Sequence, residues 1–191
     1  MTSTYSDLHD TKQTALKVTA SSQEWCGHTY THLAWKGTEY NVEQHSYFEG
    51  EGDRSLQLPA AVSENGIWTM IRYNPAALPT GSFDAIPGLI YQRYGHSDWK
   101  IERAVGQLEN TPDGMSSYTI SYPELERTLS ISFAAAFPHE IESWEETRMS
   151  GFGDNRKQLT TKAAKNKRMK TDYWNRNRNS DAILRSQLGL E

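Results

Sequence analysis

Short β-forming segments separated by turn signals recur along most of this 191-residue chain, and this alternation restricts the fold more than any other feature. Segments such as TALKVTASSQ, SSYTISYP and RTLSISFA are rich in residue types that favour strands. Turns are indicated at Lys36-Gly37, in EGEGD and in NTPDGM, and the linker YPELER is short enough for a hairpin. Strands at a spacing of roughly 8–14 residues are typical of an antiparallel meander, sandwich or open barrel.

One segment, AAVSENGIWTMIRYNPAALPTG, departs from this pattern, because Ile67, Met70 and Ile71 recur at helical spacing and Asn74-Pro75 ends the run. Strands are then predicted in GSFDAIP, GLIYQRYG, DWKIERAVGQLE and HEIESWEETRM, and an edge strand within QLTTKAAKNKRMKTDYW. NSDAILRSQLGL predicts a short helix capped by Asn179 or Ser180. We therefore predict a mainly β fold, a curved antiparallel sheet or open half-barrel with a short helical excursion and a short C-terminal helix.

The charge distribution divides the chain into parts. The formal net charge is −4, but from Asn155 onward ten Lys and Arg residues face only three acidic ones, so the rest is strongly acidic. We predict an irregular lead-in over 1–13, a β-rich domain over 14–154 and a basic C-terminal extension over 155–191 that packs on the domain. Tyr173 and Trp174 beside Arg176 and Arg178 could also stack on a nucleic acid, but the acidic body disfavours this alternative.

Composition narrows the functional classes. Six Trp and ten Tyr argue against disorder, and a single cysteine excludes an intramolecular disulfide and a multi-cysteine metal site. No apolar run approaches the ~20 residues of a membrane helix, and the first residues lack the charged and apolar regions of a signal peptide. The motifs GxxxxGK[ST], GxGxxG, GxSxG and HExxH are absent. We predict no catalytic residue and no cofactor.

The stretch SSQEWCGHTY raises the question of a metal or thiol site. On a strand, Cys26, His28 and His32 share one face, and the two histidines lie roughly 13 Å apart, too far for one Zn²⁺. A structural role is therefore favoured. A site formed by Cys26, His28 and His45 of the neighbouring strand is the alternative.

Two acidic stretches are candidate sites, but both are predicted to be solvated surface. Glu49, Glu51 and Asp53 resemble part of a Ca²⁺ loop but lack its full pattern. Four carboxylates near Trp144 could mark a glycosidase, although their spacing fits a solvated strand face better. They are Glu140, Glu142, Glu145 and Glu146.

A set of seven aromatic residues is predicted to line the core or a concave, ligand-facing surface of the sheet. They are Trp25, Trp35, Tyr47, Trp99, Tyr122, Phe133 and Trp144. Such a surface would suit an apolar small molecule.

Six segments together resemble the C-terminal part of an uncharacterised bacterial protein family whose members commonly carry the label septum formation inhibitor Maf. They are KVTASSQEWCGHTY, HSYFEGEGDRSLQLP, NPAALPTG, IPGLIY, YPELERTLSISF and FPHEIESWEE. The resemblance covers nearly the whole chain and implies longer members with an N-terminal leader, hence an envelope location. The label implies nucleotide pyrophosphatase activity, but Ser21-Ser22 is not followed by Pro-Arg-Arg, so no catalytic residue is carried over.

These observations predict a non-enzymatic, β-rich domain of the cell envelope, periplasmic or lipoprotein-anchored, that binds an apolar small molecule or an envelope protein. A nucleotide pyrophosphatase and a metal or thiol site are the alternatives. A cytoplasmic location is expected instead if Met1 is the true start of the protein.

Overall fold

The computed structural model describes residues 1–9, 15–25, 27–151 and 153–190, whose strands form two open sheets. The first sheet contains, in spatial order, β1 (Thr2–Tyr5), β2 (Lys17–Glu24), β3 (Gly27–Trp35), β4 (Glu39–Ser46) and β5 (Arg54–Pro59). The second sheet runs in reverse order from β12 to β6. Its strands are β6 (Val62–Ser63), β7 (Gly81–Ile86), β8 (Glu102–Asn110), β9 (Met115–Tyr122), β10 (Arg127–Ala134), β11 (Ile141–Ser150) and β12 (Lys157–Ala164).

The helices are α1 (Glu64–Tyr73), α2 (Leu89–Gly95) and α3 (Ile183–Gln187). Short 3-10 turns cover Pro75–Ala77, Pro123–Leu125, Gly153–Asn155, Tyr173–Asn175 and Asn179–Ala182. All strand pairs are antiparallel except the two-residue β6, which runs parallel to β7. The predicted mainly β fold, with a short helical excursion and a short C-terminal helix, is therefore confirmed.

The first sheet is a meander whose buried face packs against α2. Val18, Leu33 and Val42 are fully buried on β2, β3 and β4, and Leu89 of α2 joins the same cluster. The buried Tyr40 hydroxyl donates a 2.6 Å hydrogen bond to the Ala15 carbonyl. This bond fixes the chain just before β2 to the core of the sheet.

The second sheet shows the clearest link between sequence and burial. On β9 and β10 every second residue is buried, so that serines and threonines line one face and apolar side chains the other. Besides the buried polar residues Ser116 and Arg127, the buried set comprises Tyr118, Ile120, Tyr122, Leu129, Ile131 and Phe133. These side chains pack against Ile67, Met70 and Ile71 of α1, which are buried as their spacing predicts. The helix therefore covers the inner face of this sheet.

The segment GLIYQRYG forms α2, so its predicted assignment as a strand is wrong. Leu89 and Gln92, three residues apart, are the buried positions, and this is helical spacing. His96 adopts a left-handed conformation (φ 49°) directly after the helix. Seven residues give too few turns for the helical period to stand out from alternation.

The secondary structure at both ends of the chain differs in detail from the prediction. Residues 2–5, within the expected irregular lead-in, form β1, which pairs with β2, while residues 10–14 lie outside the described part. Helical structure at the C-terminus starts with the 3-10 turn at Asn179. The backbone N–H of Arg178 donates 3.0 Å to the Asp181 carboxylate, so neither predicted cap, Asn179 nor Ser180, serves as one.

The basic C-terminal extension contacts the acidic body through strand pairing and ion pairs. β12 pairs with β11 over its whole length. Lys165 contacts Glu140 at 3.2 Å and Glu142 at 2.5 Å, and Arg168 also pairs with Glu140. Basic residues of the extension thus form ion pairs with acidic residues of the preceding part of the chain.

Candidate functional site

A cavity of about 370 Å³ opens between α1, α2, β1 and the inner face of the second sheet. Its size falls within the range of small-molecule sites. The helices supply Glu64, Asn65, Trp68, Ile90 and Tyr91, with Gly88 just before α2. The strands supply Thr2, Thr4, Arg127, Leu129, Trp144 and Glu146.

Two indole rings form the wall of this cavity. Trp68 of α1 and Trp144 of β11 meet edge to face, with ring centroids 6.3 Å apart and planes at 85°. Trp144 is opposite Ile131 in the β10–β11 register, which places it on the inner face of the sheet. Both rings are only partly buried against the core, so they present apolar surface to the cavity.

An ion pair between α1 and β10 forms the floor. The Arg127 guanidinium donates to both carboxylate oxygens of Glu64, at 2.5 and 2.8 Å, and these side chains are only 2% and 4% exposed. The Tyr122 hydroxyl donates to the same carboxylate at 2.8 Å. Arg127 Nε donates to Glu146 at 2.6 Å. Bidentate, charge-assisted pairs of this kind are strong and hold one geometry.

Aromatic rings enclose the guanidinium on two sides. Its central carbon lies 4.2 Å from the ring centroid of Tyr91 and 5.2 Å from that of Tyr122, within the range of cation–π contacts. Burial lowers the pKa of Arg127, but the charge and hydrogen bonds of Glu64 outweigh it and raise that pKa. Burial, followed by the Glu64 charge, raises the pKa of Tyr122 well above its ordinary value. The arginine therefore stays charged and the tyrosine stays a neutral donor.

The start of α2 is fitted to this floor. A Cβ at Gly88 would lie 2.4 Å from Glu64 Oε1, so only glycine lets the backbone pass the carboxylate without displacing it. The Leu89 N–H donates to Asn65 Oδ1 at 3.0 Å, joining α1 to α2. Hydrogen bonds at the floor thus connect α1 to both α2 and β10.

Sequence reasoning missed Glu64 and Arg127, although a signal was present. Arg127 begins RTLSISFA in phase with the buried Leu129 and Ile131, and Glu64 is three residues before the buried Ile67. A charge at an inward-facing position needs a buried partner. The sequence therefore offered Glu64 and Arg127 as candidate partners in a buried ion pair.

Of the seven predicted aromatic residues, five lie in or against the cores. Tyr122 and Phe133 are fully buried. Trp144 packs against the same cluster and lines the cavity. Trp35 and Trp99 pack, partly buried, against the core of the first sheet. The inner face of the second sheet therefore holds only Tyr122, Phe133 and Trp144 of the predicted set.

Trp25 and Tyr47 are not core residues. Their exposed fractions are 105% and 72%, because Trp25 falls in the turn between β2 and β3 and Tyr47 follows the end of β4. The Tyr47 ring covers Gly27, where a Cβ would come within 2.3 Å of it. These two rings lie outside the cavity lining.

For the hypothetical metal or thiol site, Cys26 lies outside the described residues. His28 and His45 are both exposed. His45 Nδ1 is 3.0 Å from Asp53, and its ring stacks on Tyr30 with centroids 6.3 Å apart. Within the described part of the chain, no three His, Cys, Asp or Glu side chains are grouped so that they could hold a metal ion.

The two acidic stretches have different surroundings. Glu51 pairs with His96 at the end of α2. Burial raises the pKa of Glu51, but the hydrogen bond and charge of His96 outweigh it, so that pKa is lowered. Near Trp144, Glu145 points outward to Lys162 at 2.7 Å. Glu146 points inward to Arg127, so for Glu146 the predicted solvated strand face is wrong.

No family model, curated protein or solved structure matches this chain. The resemblance to the family labelled septum formation inhibitor Maf therefore stays a prediction, as does the pyrophosphatase activity that the label implies. Release of pyrophosphate from nucleoside triphosphates in the presence of Mg²⁺ is the assay for that activity. Among the described residues, no helix is both long enough and apolar enough to cross a membrane.

Proposed function

We propose that this chain is a binding domain for a small, largely apolar molecule, which occupies the cavity between α1, α2 and the second sheet. The observation that carries the proposal is the combination of indole walls with a fully paired ionic floor. Small-molecule sites typically join an apolar lining to a few fixed polar groups. This combination supports the proposal of an apolar ligand.

The energetics of the floor support a binding role. Taking Glu64 and Arg127 out of water has a high desolvation cost, and a buried ion pair is often no more stabilising than apolar residues of the same volume. A fold that needed only stability could fill this position with leucine or methionine. The rigid network keeps the cavity preformed instead, which reduces the ordering cost of binding a ligand.

The test is binding of an environment-sensitive apolar dye and its displacement by acyl chains or aromatic compounds. We expect Trp68→Ala and Trp144→Ala to weaken dye binding by at least about tenfold, since each removes a large contact surface. Trp174→Ala is the matched control, because this indole is 66% exposed and lies outside the lining. Equal dye binding by all three folded variants and the unchanged protein would contradict the proposal.

The cell-envelope location remains part of the proposal and rests on the family resemblance. Fractionation of native cells, followed by the intact mass of the protein that carries this sequence, tests it. A leader-processed species in the envelope supports the location. A cytosolic species of 21.8 kDa contradicts it.

A further inference from the structure

We infer that the molecule bound in this cavity carries a positive charge, as an alkyl- or arylammonium group on an apolar body. This inference rests on the proposed binding function and adds the chemical class of the ligand.

The charged groups of the lining do not balance. Two carboxylates, Glu64 and Glu146, face one guanidinium, Arg127. Arg127 is 2% exposed and already donates from Nε, Nη1 and Nη2 to these carboxylates. An anionic ligand would therefore meet an excess of negative charge and no accessible cation.

Glu146 is the charged group that a ligand can reach. Its side chain is 19% exposed, against 4% for Glu64. Its Oε1 accepts from Arg127, while Oε2 has no hydrogen bond within the described part of the chain. Arg127 thus holds this lining carboxylate through one oxygen and leaves the other able to accept from a ligand.

The indole rings offer the complementary surface. Arg127 lies 4.2 Å from the Tyr91 ring centroid and Arg148 lies 5.7 Å from it, so Tyr91 already has two cationic neighbours. Trp68 and Trp144 have no such neighbour among the described residues, and indole is the side chain that attracts cations most strongly. Arg148, the second cation beside Tyr91, is not part of the lining.

The experiment compares two probes of the same shape that differ in charge. Phenyltrimethylammonium and tert-butylbenzene place the same heavy-atom arrangement in the cavity, with and without a positive charge. Benzenesulfonate serves as the anionic probe. Affinities are measured by calorimetry or by tryptophan fluorescence, and we expect the cation to bind about tenfold more tightly than the neutral probe.

Glu146→Gln tests the assigned carboxylate. Glutamine keeps the shape and can still accept from Arg127 Nε, so we expect the ratio of cation affinity to neutral-probe affinity to fall about tenfold. Circular dichroism of the variant checks that it is folded. Glu145→Gln is the matched control, because this neighbour on β11 points to the opposite face and pairs with Lys162. It should leave both affinities unchanged.

The outcomes separate the two proposals. If the neutral probe binds as tightly as the cation and Glu146→Gln changes neither affinity, the charge inference is wrong and the binding cavity stands. Tighter binding of benzenesulfonate also overturns the inference. If no probe binds at millimolar concentration, the cavity is not a binding site and both proposals fail.

Discussion

Two ion pairs each join a helix to a sheet in this molecule, and they differ in their exposure to water. Glu64 of α1 and Arg127 of the second sheet are almost fully buried, at 4% and 2% exposed. Arg93 of α2 contacts Glu24 of the first sheet at 2.6 Å, and these side chains are 9% and 32% exposed. The first pair forms the floor of a cavity, whereas the second has its carboxylate at the surface.

The two ion pairs are therefore expected to contribute differently to the stability of the fold. Breaking a buried pair leaves an uncompensated charge in the interior, which is strongly destabilising. A pair with an exposed carboxylate contributes less, because water reaches the carboxylate and Arg93 keeps its hydrogen bond to Thr29 when Glu24 is removed. The α1 junction therefore fixes the geometry of the candidate site. The α2 junction holds its helix against the first sheet and contributes less to the free energy of unfolding.

The strongest test of this contrast removes one carboxylate from each junction. Glu64→Ala should lower the free energy of unfolding by about 3–5 kcal/mol, since it removes two of the three charge-assisted hydrogen bonds of the buried Arg127 guanidinium. Glu24→Ala should lower it by only about 0–1 kcal/mol. Urea denaturation measures both values. Equal losses in the two variants would remove the distinction between the junctions.

Two buried tyrosines, one in each sheet, allow a second comparison of charged and neutral hydrogen-bond acceptors. Tyr122→Phe removes a hydrogen bond to the Glu64 carboxylate and should cost about 1.5–3 kcal/mol. Tyr40→Phe removes one to the Ala15 carbonyl and should cost about 0.5–1.5 kcal/mol. The same denaturation assay ranks them, and a reversed order would contradict a charged floor on the α1 side.

Tyr40 also provides a pH signature. Burial raises its pKa to about 12, above the value of about 10 in an unfolded chain. The phenol therefore contributes fully below pH ~10, and its contribution declines as the pH rises through about 12. The difference in unfolding free energy between the unchanged protein and Tyr40→Phe should shrink over that window. A constant difference would show that Tyr40 ionises as readily in the fold as in water.

Gly88→Ala tests the fit of α2 to the floor. The new methyl group would lie 2.4 Å from Glu64 Oε1, so we expect a loss of about 1–3 kcal/mol and weaker probe binding. Gly50→Ala is the control, since a Cβ there has no neighbour within 4 Å, and it should stay within about 0.5 kcal/mol. If Gly88→Ala behaves like its control, the carboxylate is free to move.

The smallest expected effect concerns the Glu51–His96 pair on the α2 side. Its lowered pKa means that Glu51 contributes stability above the unfolded value of about 4.3, and that this contribution is lost as the pH falls through the folded value. At pH ~5 Glu51→Gln should be less stable by at most about 1 kcal/mol, and near pH ~3 the difference should shrink. Denaturation at several pH values follows it, and a pH-independent difference would contradict the ionic origin.

The sequence could predict those elements whose apolar residues recur with the period of a strand or a helix. The alternation over β9 and β10 and the spacing of Ile67, Met70 and Ile71 indicated both elements and their buried faces. The site was harder, because its central contact joins residues 63 positions apart. Glu64 and Arg127 each stand in phase with apolar neighbours, but only the packing of α1 across β10 reveals that they pair.

The exposed position of β12 has a consequence for how the molecule behaves among its own copies. This strand ends the second sheet, and its outer backbone groups face no further strand within the described residues. Such an edge invites pairing with another chain and growth into aggregates. Lys157 and Lys162 place charges along it, on either side of the 45% exposed Leu159. The lysines that make this extension basic therefore also act as gatekeepers against edge-to-edge association.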